Sequence, residues 1–110
     1  MIYIIPYETR KMDVIQDRAG PVFMAELQKW VGVEPGHLEM LLIYYRDEHL
    51  TVKGQLWVDE DGKLRQPANV NYIASELLRR SLETAGLLEL GRPEYIVGNA
   101  VFLTNRNEVT

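Results

Sequence analysis

His37 and His49 come first, because imidazole can bind a metal or carry a proton near neutral pH. Glu39, Asp47 and Glu48 lie close to them in the sequence and would supply further metal ligands, or the acid of an acid–histidine hydrolase. The residues between the two histidines, 38–46, are nearly all apolar and read as a strand. A strand rises about 3.3 Å per residue, so it holds the two rings a strand's length apart. Solvated loop positions are the better reading, and no metal ligand and no catalytic residue is assigned. Asp59, Glu60, Asp61 and Gly62 resemble the start of a calcium loop. Such a loop needs Gly at its sixth position and an acid at its twelfth. Counted from Asp59, those positions hold Leu64 and Val70, so a hairpin turn fits better.

Other reactive groups give less. Ser75, Ser81 and Thr84 have no histidine at a fixed short spacing. Arg79 and Arg80 could bind an anion, but Glu76 and Glu83 lie one helical turn away, which suits a solvated, ion-paired helix face. The glycines are scattered singly, so no phosphate-cradling loop is present and no cofactor is expected. Trp57, Tyr44, Tyr45 and Tyr95 could stack on a base, although core or subunit contacts suit them better. Gly98 and Asn99 interrupt an otherwise apolar run. Glycine within a strand marks a bulge or the close approach of another group, and a buried Asn needs hydrogen-bond partners. A bulge satisfied within the fold is the simpler reading. The functional alternative is a ligand or partner contact made by Tyr45, Trp57, Gly98 and Asn99.

The totals set the frame. The chain has 110 residues, one domain by length, and can bury roughly two-thirds of its unfolded surface. With 46% apolar and 25% charged residues it has the composition of an ordinary globular protein. There is no cysteine, which removes disulfides, thiolate zinc sites and a cysteine nucleophile, and fits a cytoplasmic setting. No window is long and apolar enough for a membrane helix. The net charge of −4, with acids and bases interleaved, argues against nucleic-acid binding.

Elements must then position these groups. Residues 2–7 suit a strand that ends at Pro6 or lies at an edge, and residues 11–16 a short second one. Gly20-Pro21 would open a helix carrying Phe23, Leu27, Trp30 and Val31 on one stripe, stopped by Gly32. Residues 38–46 and 50–59 form two strands joined by Asp47, Glu48 and His49, hence an antiparallel hairpin. Asp61-Gly62 supplies residues tolerant of positive φ for the next turn, and Lys63-Leu64 a short strand. The strongest helix runs from about 70 to 85, with Asn69 as N-cap and Gly86 or Gly91 as terminator. Residues 95–103 are apolar on both faces, so that strand is central, and 105–110 is a frayed tail.

The predicted fold is α+β: a mostly antiparallel sheet of five to six strands with two helices packed on one face. Helices on one face leave the doubly apolar strands needing a second cover, which a homodimer would give.

The run Asp59-Glu-Asp-Gly-Lys-Leu64, then Pro67 and Asn69, and finally Ile96-Val-Gly-Asn-Ala-Val101 give the chain a resemblance to a known family. In order and spacing it is similar to the domain of unknown function 3846 family of phages, plasmids and other mobile elements. The helix at 70–85 is an addition to the short version of that pattern. The resemblance implies an accessory role in a mobile element and no reaction. The expected function is therefore non-enzymatic binding of a host protein or a small ligand. A small hydrolase using Asp or Glu with His, and a nucleic-acid-binding module, are the alternatives.

Overall fold

In a computed structural model, residues 1–8, 11–16, 20–34, 36–64, 69–86, 95–104 and 109 are described. Strands β1 (Ile2–Ile5), β2 (Asp13–Gln16), β3 (Leu38–Arg46), β4 (Thr51–Asp59) and β7 (Ala100–Thr104) form one antiparallel sheet in the order β2-β1-β7-β4-β3. β5 (Val70–Asn71) and β6 (Ile96–Val97) form a separate two-stranded ribbon. Helices α1 (Met24–Val31) and α2 (Tyr72–Thr84) complete the α+β fold.

The α+β class and the antiparallel sheet are as predicted, but the helices are not on one face. Side chains alternate along β7, so Ala100 and Phe102 point to one side while Val101 and Leu103 point to the other. Ala100 and Phe102 join Ile5, Ile43, Leu56 and Val58 beneath α2, which contributes Ala74, Leu77 and Leu78. Val101 and Leu103 join Ile2 and Val22 beneath α1, which contributes Leu27 and Val31. Each helix covers one face, so the central strand is dry on both sides without a second molecule. The single strand expected over 95–103 is broken at Gly98 and Asn99 into β6 and β7, and β7 alone is the central strand of the large sheet, as its two apolar faces require.

Several boundaries move for local reasons. α1 begins three residues after Pro21, because Val22 is drawn into a parallel bridge with Val109 and is fully buried. The Glu26 carboxylate accepts the Phe23 N–H, satisfying a donor at the helix start. Phe23 stays exposed, outside the expected stripe. Gly32 ends α1 in the left-handed region at φ 83°, as expected. Residues 62–64 form a 3-10 turn, not a strand. Gly62 does not have positive φ. It is needed because a Cβ there would sit 2.8 Å from the Val97 carbonyl oxygen. α2 starts two residues later than Asn69 would allow, since Val70 and Asn71 first pair with Val97 and Ile96. The cap is therefore Asn71, whose side chain accepts the Ala74 N–H. Gly86, at φ 74°, follows the helix end, while Gly91 lies outside the described residues. The tail expectation falls mostly outside them too, but Val109 packs beside Val22 and Leu27.

Candidate binding site

The two histidines stand at opposite ends of β3, as the strand's length requires. His37 Nδ1 lies 2.6 Å from Asp61 Oδ2, and both side chains are more than a third exposed. The Glu60 N–H also donates to the His37 carbonyl at 2.8 Å, so this pair fastens the turn after β4 to the start of β3. His49 sits in the β3–β4 turn, where its N–H donates to Asp47 Oδ1. Among the described residues, no three acidic or histidine groups cluster well enough to hold a metal ion.

The arginines of α2 are held within their own helix face. Arg79 donates to both carboxylate oxygens of Glu76 and to Glu83, and Arg80 Nε donates to Glu76 at 3.2 Å. The Arg79 hydrogen bond, aided by Arg80 and opposed by partial burial, lowers the Glu76 pKa to about 2. Glu76 in turn raises that of Arg79. The Arg80 guanidinium also rests over the Tyr45 ring, 5.6 Å from its centre, and 4.0 Å from Asp47. Their charge is answered locally, which weakens the case for an anion or nucleic-acid site.

The two serines of α2 act on strand edges. Ser75 Oγ accepts the Ile96 N–H at 2.8 Å, and Ser81 Oγ accepts the Tyr44 N–H at 2.9 Å. Neither has a described histidine as partner.

The sheet face beneath α2 carries an open cavity of about 560 Å³. α2 crosses the sheet obliquely and leaves one corner bare. Tyr3 from β1, Phe102 from β7, Val52 from β4, Tyr45 from β3, Leu77 from α2 and Met12 form its apolar wall. Gly54 makes the floor possible: a Cβ there would stand 2.8 Å from the Phe102 ring and 2.2 Å from the Leu103 carbonyl. Tyr45 is also shared with two smaller openings beside α2, one toward Tyr72 and Ile73 and one toward Arg79 and Glu83. Tyr45 therefore lines three openings beside the helix.

The four residues singled out in the sequence are not brought together. Tyr45 is half-buried in the cavity wall. Trp57 lies on the opposite face, packed with the α1 cluster, and its Nε1–H donates to Gln55. Gly98 takes φ 86° in the break between β6 and β7, where its N–H donates to the Asn69 carbonyl. Asn99 Oδ1 accepts the Tyr7 N–H. Both residues of the Gly98-Asn99 interruption thus have partners inside the fold. Tyr3, Val52, Leu77 and Phe102 were missed as wall residues, although the strand alternation of Val52 carried a signal.

Asn71, and not the expected Asn69, is the cap of α2, and it is also a buried polar hub. Its Nδ2 donates to the Ile5 and Gly98 carbonyls at 2.7 and 2.9 Å while Oδ1 caps α2. It is 1% exposed, and three hydrogen bonds offset its desolvation.

Comparison with known proteins returns nothing: no family model, no curated protein and no solved structure matches the chain. Among the described residues, no helix is long and apolar enough to cross a membrane.

Proposed function

We propose that the protein is a non-enzymatic binding protein that takes a small, largely apolar ligand into the cavity between α2 and the β3–β4 hairpin. The observation that carries this reading is that cavity. Its volume of about 560 Å³ falls within the roughly 300–1,000 Å³ of small-molecule sites, and its wall is aromatic and aliphatic. The purely structural explanation is a sheet corner that α2 leaves uncovered as it runs from Asn71 near β1 to Ser81 at the edge of β3. In this reading the protein works in the cytoplasm as an accessory factor of a phage or mobile element, the setting its motif resemblance suggests. Docking of a host protein's apolar side chain is the same chemistry with a larger ligand.

The experiment is native mass spectrometry of gently purified protein, with binding of the apolar dye 1-anilinonaphthalene-8-sulfonate measured alongside. A retained adduct, or dye binding lost in Val52→Phe while circular dichroism is unchanged, supports the reading. Dye binding equal in Val52→Phe and wild type places the site elsewhere.

The 2.6 Å contact of His37 with Asp61 favours a second reading, a hydrolase in which the carboxylate orients the imidazole. Retained hydrolysis of generic esters in His37→Ala removes that dyad from any mechanism.

A further inference from the structure

β3 is an edge strand of nine residues, Leu38–Arg46. Which of its backbone groups face outward follows from three contacts. The Tyr44 N–H points away from β4, to Ser81. The Asp47 N–H and the His37 carbonyl point inward, to Leu50 and Glu60. In an antiparallel ladder these directions alternate, so Leu38, Met40 and Leu42 share the outward orientation of Tyr44. The same alternation puts their side chains on the α1 side of the sheet, where Leu38 packs against the α1 cluster while Met40, Leu42 and Tyr44 stay exposed. Leu42 is 73% exposed, Met40 38% and Tyr44 49%. A long apolar edge of this kind is a template for another strand.

We propose that β3 pairs antiparallel with β3 of a second copy, about a two-fold axis through Met40. Ser81 selects this register, because it occupies the outward N–H of Tyr44 and, among the described residues, leaves the stretch from Leu38 to Leu42 open. With Met40 on the axis, Met40 faces itself and Leu38 faces Leu42 of the second copy. These three pairs supply about six main-chain hydrogen bonds. On one side of the joined sheet, Leu38, Met40 and Leu42 of both copies form one apolar row flanked by Trp57, which already pairs with Met40. On the other side Glu39 faces Leu41, so no like charges meet across the seam. An axis one or two residues further along would need the Tyr44 N–H. A second copy is favoured over a foreign strand because the exposed stretch is complementary to itself in both hydrogen bonding and hydrophobicity.

The test is sedimentation of the full chain over a range of concentrations, with three variants. The wild type is expected to show a monomer–dimer equilibrium. Met40→Lys sets two like charges opposite one another at the axis and is expected to abolish the dimer without changing the melting temperature of the monomer. The chain contains no cysteine, so Met40→Cys is a clean probe. Hydrogen-bonded antiparallel pairs have Cα atoms about 5.5 Å apart, within disulfide reach, so mild oxidation should yield a covalent dimer. Tyr44→Cys should not cross-link, since this register separates the two copies of residue 44 by about 26 Å. A monomer at every concentration, a dimer indifferent to Met40→Lys, or cross-linking through Tyr44→Cys in place of Met40→Cys would each overturn the proposal.

Discussion

The two faces of the sheet are covered by helices of different length, and they differ in how completely they are sealed. Under α1, only eight residues long, Ile2, Val22, Leu27 and Val101 are wholly inaccessible. Under the thirteen-residue α2, Ile5, Leu56, Ala74 and Ala100 are equally inaccessible, but Leu77 and Leu78 retain 8% and 9% exposure, against 6% for Val31 of α1, and an open cavity lies beside them. The longer helix therefore leaves an opening against its own buried side chains. Its direction explains this: α2 starts at the Asn71 hub near β1 and reaches the outer edge of β3 at Ser81. It spans the sheet diagonally, holds its two ends with polar bonds and leaves a corner open. α1 is aided by Val22, Val33 and Val109, so a short helix with loop support closes its face over β1 and β7, although the β3 side chains Met40, Leu42 and Tyr44 on that face stay exposed. Coverage depends on what flanks a helix more than on its length.

Truncation on each side gives the sharpest test. Leu27→Ala leaves a closed void and should cost about 4 kcal/mol, whereas Leu77→Ala borders existing open space and should cost about 2 kcal/mol. Urea unfolding measures both, and equal losses would break the distinction between a sealed and an unsealed face. Gly54→Ala comes next, at about 3 kcal/mol, because the added methyl meets the Leu103 backbone as well as the Phe102 ring. A near-neutral thermal melt for that variant would mean that the cavity floor can move. Asn71→Ala should cost about 2 kcal/mol, by stranding the Ile5 and Gly98 carbonyls and removing the α2 cap. Its effect should appear first as faster amide exchange at the start of α2.

The smallest effect is electrostatic. The folded pKa of Glu76 is depressed, so its ion pairs stabilise the fold above the ordinary carboxylate range. That contribution is lost as pH falls from about 4.5 toward about 2. The side chain is 45% exposed, so screening limits it to under about 1 kcal/mol. Glu76→Gln should lower the urea midpoint slightly at pH 6, and the gap to wild type should close at low pH and in high salt. A gap that persists at low pH would assign the loss to packing of the side chain.

The hairpin, the second helix and the central place of residues 100–103 were legible because each rests on local periodicity. The faces of the helices were not, since an apolar stripe shows that a helix buries one side but not which side of a sheet receives it. Asn69 and Asn71 are chemically the same cap, and only the distant pairing of Val70 with Val97 chooses between them. Tyr45 and Trp57 looked like neighbours on one hairpin. Their register, Tyr45 opposite Val52 and Trp57 opposite Met40, sends them to opposite faces. The cavity was invisible because an unfilled corner is a property of helix direction. Helix direction is set by contacts from Ser75 to Ile96 and from Ser81 to Tyr44, which no short window of sequence contains.

The pairing of β1 with β7 brings Ile2 beside Leu103 and Ile5 beside Ala100. During synthesis the first strand leaves the ribosome with its neighbour still about a hundred residues away, a wait of roughly 5–20 s at ordinary elongation rates. Until β7 emerges, β1 and β4 have no strand between them and both halves of the core remain open to water. Folding is thus held back until β7 has been made, and a nascent chain stalled before residue 100 should be read by chaperones and proteases as unfolded. Loop closure on this scale also places the isolated chain among the slower small-domain folders, in the millisecond-to-second range.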